Sequence, residues 1–132
     1  MAKKTVIKPT QSELAILRIL WDSGSCTVRQ VHEVLGGDER AGYTTTLKLM
    51  QIMADKGLVV RDESRRSHVY RAAVDERQTL GQVVSELVNR AFGGSAQKLI
   101  LQALSDGAIS KEEIREIRKL LLQRGGANRD DD

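Results

Sequence analysis

The 132-residue sequence has very little of several things. It holds one cysteine, one proline, two histidines, and aromatics make up only 3% of the chain. A single Cys26 rules out an intrachain disulfide and a thiolate metal cluster within one chain; it reads as a small, partly buried apolar residue at a helix boundary. Few aromatics with 40% hydrophobic residues leave an aliphatic core, which favours packed helices over a β-sandwich. Nothing approaches the roughly 18 consecutive apolar residues of a membrane span. The opening "MAKKTVIKPTQ" has no apolar run ending in a small-residue cleavage site. A cytoplasmic protein with no direct membrane binding is expected.

Catalytic and cofactor signatures are missing as well. His32 falls in a helical stretch and His68 in a strand-like one, neither with a cysteine or an acidic cluster at metal-ligand spacing. No glycine-rich phosphate loop or nucleophile elbow is present. The expectation is a non-enzyme with no cofactor and no metal.

What is present is helical punctuation and an uneven charge. "TQSE" (Thr10 to Glu13) is a capping box with Pro9 just upstream, and Leu14, Leu17, Leu20 and Trp21 follow at three- and four-residue steps until "DSGS". "TVRQ" (Thr27 to Gln30) repeats the box, with Val28, Val31, Val34 and Leu35 as the expected buried stripe. A third helix runs from about Tyr43 to Lys56, with Gly57 placed as its left-handed terminator. The period then changes: "LVVR" and "HVYR", separated by "DESRRS", read as a β-hairpin with Arg65 and Arg66 at its tip. Residues 1–74 carry 12 Lys and Arg against 8 Asp and Glu, whereas 75–132 carry 9 against 10. The basic excess thus lies in the N-terminal part.

From Asp75 onward the helical periodicity is the strongest in the chain. Leu80, Val83, Val84, Leu87, Val88, Ala91 and Phe92 form one stripe, opened by Asp75 and Gln78. After "GGS", a short helix carries Leu99, Ile100, Ala103 and Leu104, and "SKEE" opens another carrying Ile114, Ile117 and Leu121. Three amphipathic helices in so short a segment bury their stripes best against a second copy, giving a two-fold homodimer. The other possibility is folding back onto their own N-terminal domain. The final segment, 124–132, has no apolar period and is expected to be disordered.

The predicted architecture is mainly α with a small β-hairpin wing. A winged helix-turn-helix domain (8–74) precedes a three-helix dimerisation region (75–123). Projected at 100° per residue, the third helix turns Thr46, Leu49, Met50 and Met53 inward. Thr44, Lys48, Gln51 and Asp55 fall opposite, with Thr45 and Ile52 at one edge and Leu47 at the other. A hydroxyl, a cation and an amide at one-turn spacing suit phosphates and base edges in a major groove, and the wing suits the backbone. A protein-interaction module without DNA binding is the alternative. It calls for aromatic or aliphatic anchors on that face, where Leu47 is the one apolar candidate.

"YTTTLKLMQIMADKGLV", "HVYRA" and "TQSELAILRILWDSGSCTVRQVHEVL" together resemble the penicillinase and methicillin-resistance repressors of bacteria (BlaI/MecI type), over roughly Pro9 to Leu122. The resemblance implies a dimeric repressor on a palindromic operator, released when a membrane metalloprotease sensor triggers its cleavage. It implies DNA contacts by Thr44, Thr45, Lys48 and Gln51, with Tyr43 opening the same helix and Arg65 and Arg66 in the wing. It also implies dimerisation through the helices after Asp75. Three departures stand out. Gln102-Ala103 replaces the Asn-Phe bond cleaved in the β-lactam system, the tail lacks the cysteine motif of copper-responsive members, and Ile52 stands where relatives often carry a basic residue.

Overall fold

The computed structural model describes residues 8–37, 42–64 and 66–129. In chain order the elements are α1 (Gln11–Ser23), β1 (Cys26–Thr27), α2 (Val28–Val34), α3 (Tyr43–Lys56), β2 (Val59–Asp62), β3 (Val69–Ala72), α4 (Glu76–Ala91), α5 (Ala96–Ser105) and α6 (Lys111–Arg129). Two compact units divide at Val84 and Ser85, inside α4. Thr79 is buried in the first unit, and the indole of Trp21 donates to the Val74 carbonyl at 3.1 Å, fixing the chain as it leaves β3.

Both N-terminal capping boxes form. The Thr10 hydroxyl accepts from the Glu13 amide while the Glu13 carboxylate accepts from the Thr10 amide, and Thr27 and Gln30 reciprocate in the same way. Each box satisfies two backbone donors that a helix start otherwise leaves bare. Gly57 ends α3 at φ 87°, where the Gly57 and Leu58 amides bond back to the Ala54 and Met53 carbonyls. A left-handed residue is required at that position, and glycine adopts it without a Cβ clash.

The core of the first unit is aliphatic, as composition predicted. Ile16, Leu17, Leu20, Val31, Met50, Met53 and Leu58 are buried, with Tyr70 as its one fully buried aromatic. Glu13 lies among them at 2% exposure because Lys56 reaches it from the last turn of α3, with Nζ 2.8 Å from Oε1 and 2.9 Å from Oε2. Burial alone pushes the Glu13 carboxyl up. The Lys56 ammonium and the Thr10 amide outweigh it and hold the carboxyl below its ordinary range.

The sheet has three strands, not the two of a hairpin. β3 is central, antiparallel to both neighbours in the order β1-β3-β2. Cys26 pairs with Tyr70, which pairs in turn with Arg61. The added strand buries Cys26 in the sheet, and the thiol's burial raises its pKa. His68 is exposed and lies just before β3, outside the strand expected to hold it.

Two buried stripes differ from expectation. In α2 the inward residues are Val28, Val31 and His32, whereas Val34 is 64% exposed and Leu35 44%. At 100° per residue Val34 falls roughly 110° from the centre of that stripe, and Leu35 is the C-cap where the helix ends. In α3 Ile52, not Leu47, is the exposed apolar residue, since Leu47 packs against the core. Ile52 lies roughly 130° from the Thr46–Met50–Met53 stripe and Leu47 roughly 90°.

In the second unit, Ser95 caps α5, and Ser110 and Glu113 close a capping box on α6. α6 continues to Arg129, past the expected start of a disordered tail at 124. Once nucleated, a helix gains one hydrogen bond per added residue, and Leu120 to Arg124 are strong helix formers. Among the described residues no helix is long and apolar enough to cross a membrane.

Candidate nucleic-acid interface

The site is built on α3, whose inward face is locked in place. Thr46 is buried, and its hydroxyl donates to the Gly42 carbonyl at 3.1 Å. The Thr46 oxygen also lies 3.0 Å from Nδ1 of His32, itself only 5% exposed. With the hydroxyl proton on Gly42, the ring nitrogen is the donor. His32 also meets Tyr43 edge-on, with ring centroids 5.6 Å apart. A Cβ at Gly37 would sit 2.2 Å from the His32 Cε1, so the chain after α2 closes directly over the ring. One histidine thus ties α2 and the following turn to the first turn of α3.

With Thr46 turned inward, Thr44, Thr45, Lys48 and Gln51 are all exposed. Thr44, Lys48 and Gln51 occupy the outer side of α3 at roughly one-turn spacing, and Thr45 lies at its edge, as the projection predicted. Tyr43 is placed differently. It is half-buried against the core, with the Arg29 guanidinium 5.5 Å over its ring, so the ring serves packing and holds a cation from the first turn of α2.

At the far end of α3, Gln51, Ala54 and Asp55 face Arg61 and Glu63 across a cleft of about 440 Å³. Arg61 sits on the same face of the sheet as buried Val59 and Tyr70, two residues beyond Val59 on β2. The Tyr70 hydroxyl, then the Glu63 carboxylate, favour its charged form and raise its pKa, and Glu63 forms an ion pair with it. Arg66 is exposed beyond β2. Arg65 lies outside the described residues.

The sequence reading missed Arg29, Arg61 and the roles of His32 and Gly37. The positions of Arg29 and Arg61 follow from pairings between segments distant in sequence, which no local spacing marks. His32 had a detectable signal: it stands four residues after Val28, on the inward side of a two-turn helix.

Among the described residues no group of three or more His, Cys, Asp or Glu could hold a metal. A three-helix core with a strand-built wing, whose third helix shows a polar face to solvent, defines a winged helix-turn-helix protein.

Comparison with known proteins narrows this class. The family model described as penicillinase repressor matches residues 9–123, and the chain belongs to that family, which is one of transcriptional repressors and not of enzymes. The chain is 33% identical over 122 residues to the Transcriptional regulator BlaI of Mycobacterium tuberculosis, covering 89% of this chain and 86% of the relative. The Penicillinase repressor of Bacillus licheniformis is 22% identical over 118 residues (89% and 92% covered). That of Staphylococcus aureus is 21% identical over 121 residues (92% and 95% covered).

Proposed function

We propose that the chain represses transcription by binding a palindromic operator as a homodimer, with α3 in the major groove and the wing on the sugar-phosphate backbone. The observation that carries this reading is the division of α3. Thr46, Met50 and Met53 are buried, while Thr44, Lys48 and Gln51 stand exposed along the opposite side and Thr45 is exposed at its edge. The short hydroxyl side chains at its start let the helix approach the groove closely, and the bare amides at that end favour phosphate. Lys48 and Gln51 reach furthest and serve as base or phosphate ligands. Arg65 and Arg66 supply the wing contact.

The homodimer rests on the apolar stripes of α4, α5 and α6. Val84, Leu87, Ile100, Leu104, Ile117 and Leu121 are exposed, and Leu80, Val83, Phe92, Leu99 and Ile114 are half-buried; of the dimerisation stripe only Val88 is buried in a single copy. An apolar surface of this extent marks an association site, and a second copy of the same stripe satisfies it with closed symmetry.

Release is proposed to follow a sensor-controlled signal such as proteolysis, through a membrane metalloprotease partner. Gln102 sits mid-α5 with its amide donating to Asp106, so cleavage at Gln102-Ala103 requires a specificity other than Asn-Phe and local unwinding of the helix.

The test is genomic footprinting with purified protein, then titration of the protected fragment with Lys48→Ala and Gln51→Ala. Each lost base contact should weaken binding by about 1–3 kcal/mol. Unchanged affinity in the double variant would remove this face from the DNA.

A further inference from the structure

Two guanidinium groups, those of Arg29 and Arg61, flank α3 without belonging to its exposed face. Arg29 projects from the first turn of α2 onto the Tyr43 ring, beside the start of α3. Arg61 projects from β2 into the cleft at the other end, beside Gln51 and Asp55. We propose that Arg29 and Arg61 form a phosphate clamp, each binding a backbone phosphate at one end of the groove-facing side of α3, with a tyrosine holding each guanidinium in position.

The inference rests on the DNA-binding reading of α3 and deepens it. From Tyr43 to Gln51–Asp55 the helix rises roughly 12–18 Å at 1.5 Å per residue, comparable to the roughly 12 Å width of the major groove. On that reading, cations at those two points stand near the two ends of the helix.

Arginine fits the role because its planar fork binds phosphate oxygens in pairs and stays charged. Pre-orientation lowers the side-chain entropy lost on binding. Arg29 is oriented by the Tyr43 face, and Tyr43 is itself held by His32. Arg61 stands in register with buried Tyr70. Its carboxylate partner, Glu63, is half exposed on the wing side, so an arriving phosphate exchanges one oxyanion for another. Asp55, which lines the same cleft, opposes this exchange.

Phosphate contacts are independent of sequence, so the probe is a random-sequence DNA duplex of about 25 base pairs, titrated with full-length protein from about 50 to 200 mM salt. Arg29→Ala and Arg61→Ala should each lower the slope of log affinity against log salt by about 0.9 per bound protomer. Arg29→Lys and Arg61→Lys should keep the slope while weakening binding through loss of the fork. Arg115→Ala on α6 removes an equal charge from the other unit and should leave the slope unchanged. Unfolding midpoints of all variants show whether the fold is intact. If wild type binds with a steep salt dependence and neither alanine variant changes it, or Arg115→Ala lowers it equally, the clamp is wrong. If wild-type protein does not bind duplex DNA at all, the reading of α3 fails, and the clamp with it.

Discussion

The two units of this chain treat their apolar residues in opposite ways. The first, ending within α4, buries Ile16, Leu17, Val31, Met50, Met53, Leu58 and Tyr70 almost completely. The second turns Leu87, Ile100, Leu101, Leu104 and Leu120 to Leu122 toward solvent. The difference concerns long-range pairing more than hydrophobicity. In the first unit a short sheet and α1, α2 and α3 pack on one another, so the inward stripes of these helices meet other elements. The second has only α5, α6 and the end of α4, and so small a segment cannot bury its apolar surface alone. On the proposed function, the complete unit presents a fixed surface to DNA and the incomplete one pairs with a second copy.

That contrast is breakable at several points. The largest effect belongs in the filled core: Ile16→Ala should cost about 2–5 kcal/mol of stability, read as a lowered unfolding midpoint. Leu87→Asp with Leu121→Asp, in the open stripe, should leave the helical content of the first unit intact. It should raise the dimer dissociation constant by at least about a hundredfold, since each buried leucine contributes about 1.5–3 kcal/mol and a two-fold dimer loses both from each copy; sedimentation velocity distinguishes monomer from dimer. If the double variant remains dimeric, the stripe is not the interface.

Smaller effects sharpen the account of the first unit. Gly37→Ala places a methyl against the His32 ring and should destabilise by about 1–3 kcal/mol as overpacking, visible in chemical denaturation. Glu13→Gln should cost about 1–3 kcal/mol, less than a fully buried pair because Lys56 is partly exposed. Glu13 has a native pKa below its ordinary value. Its contribution is therefore complete above the unfolded-state value of about 4.3 and is lost as pH falls through the lower native value. Wild-type stability should drop across that acidic window more steeply than that of Glu13→Gln, as measured by urea midpoints at several pH values.

Much of this was readable from local sequence. Three capping boxes, the Gly57 terminator and the α3 projection depend on residues within a turn or two of each other, where side-chain chemistry dictates geometry directly. What was not readable depends on distance along the chain. Glu13 and Lys56 are 43 residues apart, and His32 and Thr46 are 14 apart. β1 is two residues long, too short to show a period. The exposure of Val34 and Leu35 is hard to read locally because α2 spans only two turns and ends at Leu35, and Ile52 lies beyond the edge of the α3 stripe. The same holds for the site: the exposed face of α3 follows from periodicity, but Arg29 and Arg61 are placed by a tyrosine ring and a strand register contributed by other elements.

The most direct test of the central claim is selection of bound sequences from a random duplex library by the full-length protein, with Lys48→Ala/Gln51→Ala run in parallel. The account predicts that wild type enriches an inverted repeat with two half-sites about one helical turn or a small multiple apart, and that the double variant enriches none. Enrichment of the same sequence by both proteins, or of no sequence by wild type, would contradict it.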